Sequence, residues 1–221
     1  AVTAAIRGVG VVIHLAAVPD DAPFVPTLVP ANVVGVGVVI EAVQRTLSVK
    51  KLVLASSGKI FSGYKGQTPI DVDIRPTPTC MYSATKLFAE AAALALANAC
   101  PADRHLNVFV ARLGWLPRTN EDIDAMEKIR GSGEDGVNAY LSPRDVGRFF
   151  AECAAAPLDP VKRYHLMFVQ SRPQDGASAR FSVRAARLKL GWEPQDQYPE
   201  GIDIVRHDTE YHPNKSLFDR L

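Results

Sequence analysis

The chain has 221 residues, of which 47% are apolar and 22% charged, so it can bury one core, with or without a small additional lobe. Lysine and arginine total 25 against 24 acidic residues, and a net charge of +1 provides no field to hold nucleic acid or an anionic membrane. Its three cysteines are widely spaced, without a CxxC pair for zinc or redox chemistry. We therefore expect a globular, cytoplasmic protein without a metal site or a nucleic-acid partner.

The first notable segment covers residues 9–18, which are apolar and rich in β-branched side chains, with glycines before them and Pro19 after them. This pattern is typical of a strand buried on both faces, so we predict a central strand of a parallel sheet. His14 within it is expected to be a hydrogen-bonded core residue. Because the strand follows Ala1 so closely, we also expect that the natural protein has further residues before Ala1. No apolar run approaches the roughly 18 residues that span a bilayer, so no membrane partner is expected.

The next elements alternate between helix and strand. Residues 31–46 are apolar on all sides except in the last turn and predict a buried helix, and residues 50–57 predict a short strand. A loop rich in glycine and proline leads to a predicted helix over 80–100, and a third strand begins at Leu106. Strand, helix and strand at this spacing indicate repeated βαβ units, so the predicted fold class is α/β with a parallel sheet.

Beyond Gly114 the alternation stops. Residues 115–140 are polar and are expected to be irregular, whereas residues 142–156 predict a helix with Ser142 as its N-cap. A strand is predicted over 163–170, and a last short helix before Gly191. His207 and His212 in the final segment lack a third metal ligand and are expected to belong to a solvated tail.

Tyr82 and Lys86 in "YSATK" are four residues apart, so on a helix they share one face. A free tyrosine has a pKa of about 10, too high for a base near neutral pH, and a nearby ammonium favours the phenolate and lowers that pKa. This spacing often arises by chance, but the residues that precede the pair in the sequence support a functional role. Ser56 and Ser57 end a predicted strand, and ligands in open parallel sheets bind beyond the carboxyl ends of the strands.

The successive motifs "VVIHLAA", "ANVVGVGVVIEA", "KLVLASSGKIFSG", "YSATK" and "ARLGWLPR" resemble, in order and spacing over residues 9–118, the extended short-chain dehydrogenase/reductase family. This family includes sugar-nucleotide epimerases and dehydratases. The resemblance implies a Rossmann-like, doubly wound parallel sheet. It also implies an NAD(P)-binding domain over 1–113 and a small substrate-binding region over 114–221, which could return a strand to the sheet.

The resemblance also assigns the site. Tyr82 corresponds to the catalytic acid/base, Lys86 to the cation that lowers its pKa and binds the nicotinamide ribose, and Ser57 to the residue that orients the reacting oxygen. The implied cofactor-binding residues are Leu15, Ala16, Ala17, Asn32, Ala55, Tyr82, Lys86, Leu113 and Gly114. The implied substrate-binding residues are Ser57, Gly58, Lys59, Trp115 and Arg118, and no metal ligand is implied.

The implied cofactor is NAD, with NADP not excluded, because the family's glycine-rich phosphate turn and the residue that selects between the two cofactors belong to a βαβ unit that would precede Ala1. Gly8 and Gly10 precede a strand and Gly35 and Gly37 lie within a helix, so neither pair replaces that turn. We expect the 221 residues alone to bind NAD weakly or not at all.

Within the family, "LASSGKIFSGY", "RLGWLP" and "YLSPRDVGRFF" are similar to the uronate dehydrogenase branch, which implies a small sugar or sugar acid as substrate. Gly58 and Lys59 replace the Asn and His of that branch, which leaves the substrate open. Lys59 and Arg118 are candidates to bind a substrate carboxylate, with Arg144 a weaker one. Two alternatives remain: a sugar-nucleotide epimerase or dehydratase, and a non-catalytic dinucleotide-binding protein. The family also implies a homodimer through the helices at 31–46 and 80–100.

Overall fold

The computed structural model describes residues 1–19, 22–101, 103–129, 136–174 and 176–202. His207 and His212 lie outside the described residues. The centre of the structure is a four-stranded parallel sheet in which the strands follow one another in chain order. Its strands are β1 (Val11–His14), β2 (Lys51–Ser57), β3 (Asn107–Leu113) and β4 (Tyr164–Val169).

Helices cover both faces of this sheet. They are α1 (Val2–Ala5), α2 (Gly35–Arg45), α3 (Met81–Ala99), α4 (Asn120–Lys128), α5 (Pro143–Ala155) and α6 (Arg184–Leu190). A π-helical segment, Phe24–Val34, runs directly into α2, and two 3-10 turns cover Gly58–Phe61 and Val137–Ala139. The predicted α/β fold class with a parallel sheet flanked by helices is confirmed.

Both faces of the sheet are buried because apolar side chains alternate on β2 and β3. Leu52 and Leu54 pack with α2 and α3 on one face, while Val53 between them packs with α5 and α6 on the other. The same alternation holds along β3, where Phe109 faces α5 and α6 and its neighbours face the other way. This burial on two sides explains why these strands are almost continuously apolar in sequence.

The predictions for β2, β3, β4, α3 and α5 agree with the structure to within about one residue at each end. Ser142 caps α5, since its Oγ accepts a hydrogen bond from Asp145 N at 2.9 Å, and Gly191 ends α6 with a φ of 66°. The strand from the C-terminal half, β4, pairs with β3 and extends the sheet.

Two predictions for the N-terminal part differ from the described structure. The strand predicted as central, β1, is short and lies at one edge of the described sheet, where Ile13 is 40% exposed. The helix predicted as buried has an exposed side that includes Val34 and Val38, because only one of its faces packs on the sheet and α3.

That helix is also longer than predicted. Phe24–Arg45 forms 22 continuous helical residues, which by length and composition are apolar enough to cross a membrane, so the expectation that no apolar segment reaches this length is wrong. Its contacts with α3 and its buried side chains Val36, Ala42 and Val43 make it part of the layer that covers the sheet. The cytoplasmic location and the absence of a membrane partner stay predictions.

The segment 115–140 is not irregular throughout, as α4 lies within it. Thr119 starts this helix with a capping box: its Oγ1 accepts a hydrogen bond from Asp122 N at 3.1 Å, and the Asp122 carboxylate accepts one from Thr119 N at 3.1 Å. Met126 on the inner side of α4 is buried against Tyr140 and Tyr198. One apolar contact face and a good cap are sufficient for a short helix that is otherwise polar.

Candidate active site

A cavity of about 710 Å³ opens beyond the carboxyl ends of β1, β2 and β3, and it contains most of the predicted site. The predicted residues that line it are Leu15, Ala17, Ala55, Ser57, Gly58, Lys59, Tyr82, Lys86, Leu113, Gly114, Trp115 and Arg118. Ala16 and Asn32 are the predicted site residues that do not line it. Ser57 from β2 thus meets Tyr82 and Lys86 from α3, which lie 25 and 29 positions later in the sequence, in one cavity.

Tyr82 and Lys86 lie in the first two turns of α3, whose N-terminal end reaches the cavity. Lys86 is 7% exposed, and its Nζ donates a hydrogen bond to the Ala55 carbonyl at 3.1 Å. The ammonium lies 5.6 Å from the centre of the Tyr82 ring. Burial lowers the pKa of Lys86 to about 8, since the charged form loses solvation. The helix therefore holds a cation beside the phenol, as the spacing of the two residues predicts.

Ser57 ends β2 and caps the 3-10 turn that follows, because its Oγ accepts a hydrogen bond from Lys59 N at 3.2 Å. Gly58 in this turn has no room for a side chain: a Cβ there would overlap the Phe181 ring and lie 3.3 Å from the Leu113 carbonyl. The glycine therefore lets the ring of Phe181, from the C-terminal half, pack directly against the turn beside Ser57.

A buried ionic network fixes α3 to the ends of β2 and β3. Glu90, one turn after Lys86, accepts hydrogen bonds from Ser56 Oγ at 2.6 Å and from Arg112 Nε and Nη2 at 3.0 and 2.9 Å. Both ionic side chains are under 10% exposed. The Arg112 guanidinium also lies 5.3 Å from each of two ring centres, those of Phe61 and Phe168. These contacts set the position of the helix that carries Tyr82.

Asn32, which the family resemblance assigns to the cofactor, does not line the cavity, and its side chain is hydrogen-bonded within the protein. Its Oδ1 accepts a hydrogen bond from Val18 N at 2.8 Å, and its Nδ2 donates to Val18 O at 3.0 Å and to Thr85 Oγ1 at 3.2 Å. With 2% exposure it joins the segment after β1 to α3. In this structure Asn32 supports the wall of the cavity.

His14 is a half-buried residue at the end of β1, and its Nε2 has no hydrogen-bond partner among the described residues. Burial, and secondarily the Lys86 ammonium, lower its pKa. The prediction of a hydrogen-bonded core histidine is therefore not confirmed at Nε2.

Several cavity residues were missed from the sequence. Tyr64, Arg180 and Phe181 line one side, and the α5 side chains Val146 and Phe150 line another. Arg180 is 5% exposed and donates hydrogen bonds from Nη2 to the carbonyls of Phe61 and Tyr64 at 3.3 and 3.2 Å. A usable signal was present, because the loop with Arg180 and Phe181 follows the predicted strand β4 and so starts at the same edge of the sheet.

The described residues that line the cavity carry five cationic side chains and no carboxylate. The cations are Lys59, Lys65, Lys86, Arg118 and Arg180. Arg118 Nε lies 3.8 Å from Asp122 Oδ2, and its side chain is half-exposed at the rim. Arg144, the weaker candidate, forms an ion pair with Asp196 at 2.9 Å and does not line the cavity. The cavity is therefore suited electrostatically to an anionic ligand.

The comparisons with known proteins agree with this architecture. The chain is 26% identical over 209 residues to an L-arabinose 1-dehydrogenase (NAD(P)(+)) of Haloferax volcanii, with 89% of this chain and 78% of that protein covered. Among solved structures, a mutated uronate dehydrogenase has a TM-score of 0.69 at 22% identity, covering 89% of this chain and 63% of that one. MoeE5 in complex with UDP-glucuronic acid and NAD also has a TM-score of 0.69 at 22% identity, covering 90% of this chain and 79% of that one.

The two solved structures show the fold, and this chain spans less than two thirds of the length of the mutated uronate dehydrogenase. A family model described as the NAD dependent epimerase/dehydratase family matches residues 1–113, which hold β1, β2, β3 and the Tyr82–Lys86 pair. Since this match covers half of the chain, the chain belongs to the NAD dependent epimerase/dehydratase family.

Proposed function

We propose that the protein is an NAD-dependent dehydrogenase that oxidises a small sugar or sugar acid. The observation that carries this proposal is the meeting of Ser57, Tyr82 and Lys86 in one cavity at the carboxyl ends of the strands. A dehydrogenase needs a base for the proton of an alcohol, and a tyrosine beside a buried ammonium can serve as that base. The L-arabinose 1-dehydrogenase of Haloferax volcanii and the mutated uronate dehydrogenase support the choice of a sugar or sugar acid.

The residues present fit the nicotinamide end of the cofactor. Leu15, Ala17 and Leu113 offer apolar contacts, and the buried Lys86 ammonium offers donors to ribose hydroxyls. When bound there, NAD supplies the acceptor for a hydride. We assign Leu15, Ala17, Ala55, Tyr82, Lys86, Leu113 and Gly114 to this part of the cofactor, and give Asn32 a supporting role through Val18 and Thr85.

The protein's own residues would handle the proton and the oxygen of the substrate. Tyr82 accepts the proton of the reacting hydroxyl, and Ser57 orients that hydroxyl by a hydrogen bond. Lys86 stabilises the phenolate form of Tyr82 by its positive charge. The network of Glu90 with Ser56 and Arg112 keeps α3 in register with the strand that ends at Ser57.

The cations of the cavity favour a substrate with a carboxylate. Arg118 at the rim can form two parallel hydrogen bonds with a carboxylate, a geometry that a lysine cannot offer. Its Nε lies 3.8 Å from Asp122 Oδ2. We therefore propose oxidation of a polyhydroxy acid or aldose at its anomeric carbon, with preference for the acid.

Steady-state NADH formation by the full-length protein, with paired uronic acids and aldoses, tests this function. Tyr82→Phe should abolish turnover while NAD affinity stays within a few-fold, because the change removes the proton acceptor and little contact area. Arg118→Ala should raise KM for the acid far more than for the neutral sugar. A UDP-sugar belongs in the same assay, since conversion of UDP-glucuronic acid without turnover of free sugars would contradict the proposal in favour of a sugar-nucleotide enzyme.

We also propose a homodimer formed by the segments 31–46 and 80–100. Exposed apolar side chains on these helices support it, namely Val34, Val38, Met81, Phe88 and Leu94, which are 40–53% exposed. Apolar residues gathered on two neighbouring helices favour burial against a second copy.

A further inference from the structure

A second lysine lies beside Tyr82, in addition to the one on its own helix. Lys59 Nζ is 5.8 Å from the centre of the Tyr82 ring, close to the 5.6 Å of Lys86 Nζ. Lys86 reaches the ring from α3, whereas Lys59 reaches it from the 3-10 turn after β2. The spacing of Tyr82 and Lys86 predicts the first contact, but nothing in the sequence predicts the second.

The backbone of Lys59 is fixed on both sides. Its N–H donates to Ser57 Oγ at 3.2 Å, and its carbonyl accepts a hydrogen bond from Ser83 Oγ at 2.9 Å. Ser83 is fully buried and follows Tyr82 directly, so the turn and the start of α3 are joined next to the phenol. The next two residues of the turn, Ile60 and Phe61, are fully buried and hold it in place. The lysine therefore extends toward Tyr82 from a rigid base.

We propose that Lys59 is a second cation for Tyr82 that stabilises the phenolate together with Lys86, and that it is a positioning residue instead of a ligand for the substrate carboxylate. This inference deepens the proposed function, on which it rests. A positive charge beside a phenol favours its anionic form, and the two ammonium groups, 5.8 and 5.6 Å from the centre of the Tyr82 ring, act in the same direction. The pKa of Tyr82 then lies closer to neutral pH than it would with Lys86 alone.

Among the described residues that line the cavity, no charged side chain opposes this effect on Tyr82. Besides the two lysines, these residues carry the cations Lys65, Arg118 and Arg180, and none of them is a carboxylate. His14 lies at the end of β1, and burial, with the Lys86 ammonium as the smaller cause, lowers its pKa.

The titration of Tyr82 itself provides the test and needs no substrate. With all six tyrosines labelled at Cζ with 13C, the Tyr82 resonance is identified by its loss in Tyr82→Phe, and its pKa is then measured by NMR. Lys59→Met should raise the pKa of Tyr82 by about one pH unit, a typical effect of losing one neighbouring charge. Lys59→Arg should leave it within a few tenths of a unit. Lys65→Met removes a cation from the same cavity that does not lie over the Tyr82 ring, and it should not change the pKa.

Two outcomes would overturn the inference. One is an unchanged Tyr82 pKa in both Lys59→Met and Lys59→Gln, the second variant serving if the first does not fold. The other is a raised KM of these Lys59 variants for the sugar acid, with no shift in the acid limb of their kcat/KM profile against pH. That result would make Lys59 a ligand of the substrate carboxylate. The proposed function fails separately, by absence of NADH formation in the parent protein, and the NMR titration would still decide the role of Lys59.

Discussion

At the scale of single residues, the burial of Lys86 has a measurable effect on stability. Its pKa falls to about 8 in the folded protein from an ordinary value of 10.5, because burial disfavours the charged form. Between these two values the unfolded chain binds more protons at this residue than the folded one. Deprotonation of Lys86 therefore stabilises the folded protein, and the free energy of unfolding rises with pH over this window. Below the window Lys86 is charged in both states and adds no pH dependence.

We expect this contribution to grow by about 2 kcal/mol between pH 8 and pH 10. Urea denaturation of the parent protein and of Lys86→Met at both pH values isolates it from the titration of other groups. The difference in stability between the two proteins should shift in favour of the parent as pH rises. A constant difference would mean that the Lys86 pKa is not lowered.

The residues of the site differ in how well the sequence predicts them. Tyr82 and Lys86 are found from their spacing, because one helix is enough to bring them together. Arg180 and Phe181 reach the cavity with the help of contacts to residues more than 100 positions earlier, such as Phe61 and Gly58. For Asn32, family likeness gives a residue type at a position but not the partners of its side chain, which in the structure are Val18 and Thr85.

At the scale of secondary structure, apolar periodicity predicts the buried elements well. The strands β2 and β3 and the helix α3 are found to within about one residue because two-sided burial and turn residues define them. The polar helix α4 is missed by this criterion. Its signals are local ones, the Thr119 cap and the acidic first turn with Glu121 and Asp122.

Thr119→Ala tests how far α4 depends on this cap. We expect a loss of roughly 1 kcal/mol in the free energy of unfolding, a typical cost of removing an N-cap oxygen. Thr119→Ser keeps the hydroxyl and should keep most of the stability. Equal losses in the two variants, measured by urea denaturation, would show that the cap oxygen is not what matters at this position.

At the scale of the whole molecule, the outer surface of α2 and α3 is the feature to test. Phe88 on α3 is 41% exposed, so a change there alters the proposed contact between two copies more than the core of one copy. Phe88→Asp would place a charge in that interface, and burial of an unpaired charge is costly.

Light scattering on the full-length protein should give a dimer for the parent and a monomer for Phe88→Asp. Leu188 on α6 is 72% exposed and lies outside the proposed interface, so Leu188→Asp is the matched control and should remain dimeric. A monomeric parent would contradict the homodimer proposal.

The order of the four strands has a consequence for synthesis on the ribosome. Because β1, β2, β3 and β4 are neighbours in the same order in which they are translated, each strand can pair with one that has already emerged. Among the four described strands, none has to be inserted between two that are already paired, and each crossover connects adjacent partners. Tyr82 and Lys86 leave the ribosome before β3, so their helix can dock on β2 early, while Phe181 and Arg180 complete the cavity near the end of translation.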